Sequence, residues 1–516
     1  ALAEDRAQID ELFDQAQDLW KRGRTEEAAA ALKKLLAADP TQSTAYELLR
    51  KAENQMFLDL LKAGGDSALA ARRLLELAHP GELQRIKDDD AIKALVDQAV
   101  HGDDHGARTL AIRKLLANHG EYSVPHLVPY LGSNDTDERV YAILALTELA
   151  SEAVLPLVEA LHSDSWLIQQ NASIVLERIG DVRAIGGLVS LAAHAENESV
   201  KAAAMGAVAS MMAKCGGCEG CEGTCGCGGD GEKKELTPAK AYLKLSKWYY
   251  MQSPKVIKNY LGAYTLWAWE DGKVVSREVP KFLYHLELAE ECLYDALAEE
   301  PGNEVARYAL AGIHYAQLGA VQGMGSEAMA DEAMQALAKE YSKVMAISAA
   351  QGVDAALGAL HIGLEMNDPA ISLGAMHVLP YVWDGRPLGE DSPLAKALGA
   401  EEKVVRFGAA VTVLMLSPSA AFPGSEMVVP LAAQAADTGS ARQVLVIDAN
   451  ADVRAANMKA LVDGKMFPIG EATGIRGFRR ALEVGTFDVI VIRYTMPDML
   501  TMALVNQLRE DFRTAA

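Results

Sequence analysis

The stretch that decides the fold is Val124-Pro-His-Leu-Val-Pro-Tyr-Leu131, because the chain restates it twice at intervals of 30 residues. The second copy is Val154-Leu-Pro-Leu-Val-Glu-Ala-Leu161, and the third is Ala184-Ile-Gly-Gly-Leu-Val-Ser-Leu191. The second half of the unit keeps the same spacing at three aligned alanines, Ala142, Ala172 and Ala202. Each unit therefore predicts two short amphipathic helices that bury their apolar faces only by stacking on their neighbours.

Turn and N-cap residues separate the two halves of each unit, at Asn134-Asp135, Asp164-Ser165 and Glu196-Asn197. Over roughly residues 105–212 the pattern resembles the HEAT-like repeat of the phycobilin-lyase type. That resemblance implies an α-solenoid whose surfaces bind other proteins, with a lyase-like enzyme as a weaker alternative.

A second pair of related segments lies further along the chain. Ile371-Ser-Leu-Gly-Ala375 returns 34 residues later as Val405-Arg-Phe-Gly-Ala409, so that Gly374 matches Gly408. We expect a second HEAT-like block here, in which a small residue lets neighbouring helices approach closely.

Two further segments share a different spacing. One is Gly23-x4-Ala28-x3-Leu32-x7-Pro40, and the other is Ala289-x3-Leu293-x2-Ala296-x4-Pro301. In both, small residues allow two helices to pack closely and a proline ends the second helix. Both resemble the second helix of a tetratricopeptide unit, which implies helical hairpins on either side of the first HEAT-like block.

One short segment alternates as a strand does. Tyr264-Thr-Leu-Trp267-Ala-Trp269 is followed by a turn at Asp271-Gly272 and a return to Val279, which predicts a β-hairpin inserted in a helical protein. Trp267 and Trp269 share one face of the first strand. They are expected to cap the solenoid core or, alternatively, to form a platform for a partner.

The periodicity changes again near the C-terminus. Buried-strand runs at 444–448 and 488–492 alternate with helical patterns, which predicts a parallel α/β sheet. The series resembles the first three βα units of a two-component receiver domain, in the flavodoxin-like order, and includes the family's Met496-Pro497 turn.

That resemblance also exposes departures from the family. The receiver family uses an acidic pair to bind magnesium and a third aspartate to accept a phosphoryl group. Here Asp448 fills the first acidic place, Ala449 replaces the second acid, and Arg493 replaces the phosphoacceptor. A guanidinium does not accept a phosphoryl group as a carboxylate does, and it repels a metal ion, so the segment is interpreted as an incomplete pseudo-receiver.

Five of the six cysteines lie close together in a glycine-rich stretch: Cys215, Cys218, Cys221, Cys225 and Cys227. The first four have the C-x2-C-x2-C-x3-C spacing of bacterial ferredoxins, which suits an iron–sulfur cluster or tetrahedral zinc. A disulfide framework and a flexible linker are equally open alternatives, and the sixth thiol, Cys292, is expected to be buried.

Composition limits the classes of function. The chain has 516 residues and a net charge of −22, which repels phosphate backbones, so no nucleic-acid partner is expected. No apolar run reaches the length of a membrane helix. The Ala1-Leu2-Ala3 start favours export to the periplasm or cell envelope, and the incomplete sheet near the end indicates a longer natural chain.

Motifs of nucleotide-binding and hydrolytic enzymes are absent from the sequence. The segment His101-Gly-Asp-Asp-His105 offers metal-binding side chains, but a polar loop before a helix is the favoured interpretation. The sequence therefore predicts a mainly α protein, a HEAT and tetratricopeptide α-solenoid with a hairpin insertion and a receiver-like portion. Its expected role is a non-catalytic scaffold that binds other proteins or itself; a metal-binding or redox protein is the alternative. The expected divisions are 1–60, 61–212, 213–236, 237–348, 349–436 and 443–516.

Overall fold

The computed structural model describes residues 2–63, 65–215, 236–258, 264–322, 332–437, 442–464, 466–484 and 487–510. These residues are mainly α-helical and include five short strands. The chain divides into two compact units, each assembled from two stretches of sequence. The first contains residues 1–234 and 258–278, and the second contains residues 235–257 and 279–516.

The first unit begins with helices that pack around a core of their own. Gly23 adopts a φ of +73° at the reversal between the first two helices, a conformation that glycine tolerates without a steric penalty. Ala28 and Leu32 are fully buried in this core, as their spacing predicts. The helices are α1 (Leu2–Lys21), α2 (Thr25–Ala37), α3 (Gln42–Lys51), α4 (Asn54–Ala63) and α5 (Gly65–Ile86).

The remainder of the first unit stacks short and long helices in two layers around a second core. A 3-10 turn precedes each short helix: Gly120–Ser123, Ala150–Glu152 and Val182–Ala184. The short helices are α8 (Val124–Leu131), α10 (Val154–Ala160) and α12 (Ile185–His194). The long helices are α6 (Asp89–His101), α7 (His105–Asn118), α9 (Thr136–Leu149), α11 (Trp166–Ile179) and α13 (Glu198–Cys215).

The predicted 30-residue period holds in the short-helix layer, where Val124, Val154 and Ala184 are all fully buried. It fails in the long-helix layer at the third repeat. Helices α9 and α11 begin 30 residues apart, whereas α11 and α13 begin 32 residues apart. The predicted alignment of Ala202 is therefore wrong: Ala202 is exposed, and Ala204 is buried in its place.

The alternating segment forms an antiparallel hairpin of β1 (Thr265–Glu270) and β2 (Lys273–Glu278). Asp271 and Gly272, the two residues between the strands, both have positive φ, as the tight turns of two-residue hairpins require. Trp267 and Val274 are only 5% exposed and belong to the core of the HEAT-like helices. The hairpin thus packs as part of the first unit, although its residues lie within the 237–348 region.

The second unit is helical up to residue 437, and its later helices pack against their sequence neighbours. Ile371 and Val405 are both buried at matching positions, as are Ala375 and Ala409, which agrees with the 34-residue spacing. The helices are α14 (Pro238–Tyr250), α15 (Lys281–Glu299), α16 (Glu304–Gln322), α17 (Glu332–Ala350), α18 (Gly352–Glu365), α19 (Pro369–Val382), α20 (Pro393–Ala397), α21 (Lys403–Leu416) and α22 (Ser425–Asp437).

The same unit ends in a parallel sheet of three strands, with β3 between β4 and β5. A small apolar core that includes Leu445, Ile447 and Leu504 lies against the sheet. The strands are β3 (Gln443–Ile447), β4 (Phe467–Glu471) and β5 (Val489–Ile492). The helices are α23 (Ala451–Asp463), α24 (Gly474–Val484) and α25 (Thr501–Glu510).

Candidate functional site

The hairpin packs against α8 and α10, on one side of the short-helix layer. We call this surface of α8 and α10 the covered face. Buried polar contacts join it to the 3-10 turn before α8. The indole Nε1 of Trp267 donates a hydrogen bond to Oε2 of Glu121 at 3.1 Å. The hydroxyls of Tyr122 and Thr265 lie 2.5 Å apart. The covered face is therefore occupied by a segment of the chain itself.

Glu121 lies in an unusual electrostatic environment beneath the hairpin. Burial is the largest influence and raises the pKa of this carboxyl to about 7, and the nearby carboxylate of Glu152 adds to the effect. The hydrogen bond from Trp267 and the charges of Arg183 and Lys87 act in the opposite direction. Glu121 is thus a carboxyl group that changes its charge near neutral pH.

A buried ion network lies at the equivalent turn two repeats later. Arg183 donates to both carboxylate oxygens of Asp181, at 3.1 and 3.0 Å, and also to the carbonyl of Ser151. Lys258 donates to Asp181 at 2.6 Å. Burial opposes ionisation, but these hydrogen bonds outweigh it and lower the pKa of Asp181. Because Lys258 precedes the hairpin in sequence, the network anchors that end of the segment.

The long helices of the block, which contact one another in sequence order, carry exposed apolar side chains. Each exposes between 43% and 55% of its surface. We call this set the exposed row: Leu110, Val140, Leu144, Trp166 and Met205. Large apolar side chains that recur on successive repeats are a common feature of protein-binding surfaces.

At the carboxyl ends of the parallel strands, the residues singled out by the receiver resemblance come together. Arg493 donates to Oδ1 of Asp448 at 2.8 Å, and Asp448 is only 5% exposed. Burial disfavours the charged carboxylate, but the hydrogen bonds from Arg493 and from the backbone of Asn450 prevail and lower the pKa of Asp448. The guanidinium thus compensates the charge of this acid, while Ala449 offers no ligand.

The sheet is joined to the helices of the second unit by charged and aromatic contacts. Arg480 hydrogen-bonds Glu402 at 2.8 Å and Glu471 at 3.2 Å. The ammonium of Lys403 lies over the rings of both Phe407 and Phe467. These contacts link the start of α21 to β4 and α24.

The other predicted residues are placed as follows. Trp267 is buried, and Trp269 packs half-buried against the same core, so the structure favours core capping over a partner platform. The side chains of Cys215, Cys218, Cys221, Cys225 and Cys227 lie outside the described residues. Cys292 is buried on α15.

The histidine-rich segment before α7 behaves as a polar surface. His101 contacts the carboxylates of Asp97 and Glu138, each at 2.9 Å, and Asp104 caps α7 by accepting from the backbone of Ala107. Within the parts of the chain that the structure describes, no group of three or more metal-ligating side chains comes together.

Sequence analysis missed Glu121, Glu152, Asp181 and Arg183 because it concentrated on the apolar positions of the repeat. A signal for some of them was available. Glu121, Ser151 and Asp181 are spaced by 30 residues, at the turn before each short helix. A charged residue at a turn between packed helices indicates a polar contact with another part of the chain. The residues next to the turn in sequence do not show which element makes that contact.

The stacked helical pairs of the first unit place it in the α-solenoid class. Residues 124–209 match the family model for HEAT repeats. This span begins with α8 and ends within α13, so the block is a HEAT-type solenoid. Comparison with curated proteins and with solved structures finds no match. Across the described ranges, no helix combines the length and hydropathy needed to cross a membrane.

Proposed function

We propose that this protein is a non-catalytic scaffold that holds another protein, or a second copy of itself, on its helical repeats. The observation that carries the proposal is the exposed row, which presents large apolar side chains on consecutive HEAT helices. Burial of such side chains by a partner stabilises the complex by roughly 25 cal/mol per Å² of apolar surface removed from water. HEAT repeats are common in such scaffolds.

The remaining helical regions are proposed to serve the same purpose. The buried small residues Ala28 and Ala289 support tetratricopeptide-like hairpins in the two units. A phycobilin-lyase type of repeat remains a finer hypothesis for the first block. If that alternative held, the protein would act on a bound small molecule rather than on a protein surface.

The C-terminal portion is proposed to be an incomplete pseudo-receiver that works as a docking module. The contact between Arg493 and Asp448 supports this hypothesis. The guanidinium of Arg493 balances the negative charge of the Asp448 carboxylate, which a magnesium ion would otherwise balance. The link through Arg480 and Lys403 further supports a structural role, since it attaches the sheet to the helices.

A metal-binding or redox role centred on the segment from Cys215 to Cys227 is retained as an alternative proposal. It rests on cysteine spacing alone, with zinc or an iron–sulfur cluster as the proposed ligands.

The scaffold proposal is tested by placing charge in the exposed row. The double variant Val140→Glu/Leu144→Glu should no longer self-associate, as measured by sedimentation. It should also capture fewer proteins from the native cell extract, as identified by mass spectrometry. Lys34→Glu changes the net charge by the same amount at an exposed position of α2, and serves as the matched control. An identical set of captured proteins and an identical sedimentation profile in the double variant would refute the assignment of this surface.

A further inference from the structure

The hairpin belongs to the first unit by its contacts, although its sequence neighbours on both sides belong to the second. It therefore reaches the covered face as a discrete segment. Its two ends are fixed by ion pairs, one between Lys258 and Asp181 and the other between Glu278 and Lys87. Its centre is fixed by Trp267, whose indole is buried among the HEAT helices.

Two buried polar atoms lie in the turns that precede α8 and α10. Oε2 of Glu152 and Oγ of Ser123 are buried, and neither finds a hydrogen-bond partner within the described structure. A buried polar group without a partner costs free energy, and the carboxylate of Glu152 also disfavours a charge on Glu121.

The charged groups that act on Glu121 come from three segments. Glu152 approaches from the second 3-10 turn, Arg183 from the third, and Lys87 from the end of α5. Both cations already contact another acid. Arg183 donates hydrogen bonds to both carboxylate oxygens of Asp181, and Lys87 forms an ion pair with Glu278. An ionised Glu121 therefore adds a negative charge beside Glu152. The hydrogen bond from Trp267 offsets this charge in part, and so do Arg183 and Lys87, which Glu121 shares with Asp181 and Glu278.

We infer that the docking of the β1–β2 hairpin on the α8–α10 face depends on pH, and that ionisation of Glu121 weakens it. The protonated acid accepts the hydrogen bond from Trp267 without bringing a charge under the hairpin. This inference goes beyond the scaffold role, because it concerns the short-helix layer and not the exposed row.

The sign of the pH dependence follows from the two states of Glu121. In the docked state its pKa is about 7, against an ordinary value of 4.5. The docked state therefore binds the proton more tightly, and docking is strongest at low pH and weakens as pH rises between these two values. Since Glu121 keeps some exposure to water, we expect docking to weaken on the order of 100-fold, which is less than the full difference between the two pKa values would give.

The test is hydrogen exchange of the full-length protein, followed by mass spectrometry, at several pH values between 5 and 8. Protection factors of the amides in 265–278, corrected for intrinsic exchange, should fall on the order of 100-fold as pH rises, whereas those of α11 should stay constant. In Glu121→Gln the hairpin should remain protected at pH 8. The exposed residue Glu270 at the end of β1 provides the matched control, Glu270→Gln, which should behave like the wild type.

A second variant keeps the test decisive if Glu121→Gln fails to fold. Glu152→Gln removes the neighbouring like charge, so the loss of protection with pH should become smaller. Hairpin protection that is independent of pH in the wild type would overturn the inference. An unchanged pH profile in the folded glutamine variants would overturn it equally.

Discussion

A close contact between two helices of the second unit gives a prediction whose magnitude can be worked out. Gly374 lies on α19, where a Cβ atom would sit 2.4 Å from Cβ and 3.2 Å from Cα of Tyr315 on α16. Carbon atoms in contact are normally about 3.5–4.0 Å apart, so the helices would have to separate by roughly 1 Å. Tyr315 is buried and is contacted at its backbone, so it cannot turn aside.

For Gly374→Ala we expect overpacking at the upper end of the usual range, about 3 kcal/mol. Alanine recovers about 1 kcal/mol through its higher helix propensity. The net loss of about 2 kcal/mol corresponds to a lowering of Tm by roughly 4–8 °C for a unit of this size. Differential scanning calorimetry measures this shift in the transition that includes the second unit.

Two other glycines in the same unit serve as matched controls. Gly319 on α16 has no atom within 4 Å of a built Cβ, so Gly319→Ala should leave Tm unchanged or raise it. Gly408→Ala should fall between these cases, because its nearest neighbour is the flexible end of Leu373 at 2.8 Å. Equal Tm values for the Gly374 and Gly319 variants would refute the close approach of α16 and α19. Unchanged Tm values even for bulkier residues at both Gly374 and Gly408 would also remove the support for the 34-residue repeat.

Three further predictions concern charge and metal. Incubation with acetyl phosphate and magnesium should leave the mass unchanged, because Arg493 does not accept a phosphoryl group as an aspartate does. A phosphorylated peptide from 443–516 would contradict the pseudo-receiver proposal. If the cysteine segment binds metal, elemental analysis of anaerobically purified protein should find about one zinc, or several irons with sulfide, per chain. The variants Cys218→Ser and Cys221→Ser should lose this metal. A wild-type protein without metal would exclude the metal-binding alternative. Arg183→Ala should cost about 3 kcal/mol at pH 7 by leaving Asp181 under-compensated. Because the folded pKa of Asp181 is lowered, this stabilisation is present above its ordinary pKa and is lost on acidification, so urea unfolding should distinguish the variant from the wild type at pH 7 far more than at pH 3.

Local patterns in the sequence were sufficient for the helical layers. The apolar positions around Val124 recur at the helical period and at the repeat period together, so one alignment predicts both the elements and their stacking. The alternation around Trp267 likewise predicted a hairpin, because strand periodicity and a two-residue turn are properties of a few adjacent residues.

The remaining features depend on contacts between distant residues. The two-residue shift before α13 is invisible to an alignment that matches small residues, since alanine is common throughout the chain and Ala202 and Ala204 are equally plausible partners. The destination of the hairpin depends on Glu121 and Tyr122, more than 140 residues earlier. The pKa of Glu121 follows from that burial, so it could not be predicted before the covering element was known.

The discontinuous first unit has a consequence for synthesis of the protein on the ribosome. The last helix that the structure describes in this unit ends at Cys215, but the strands that cover α8 and α10 are translated only at residues 265–278. At about 5–20 residues per second, the nascent solenoid waits several seconds with the site of Trp267 empty. During this interval its apolar surface is open to chaperones or to an early partner, and the order of events during translation decides which of them reaches it first.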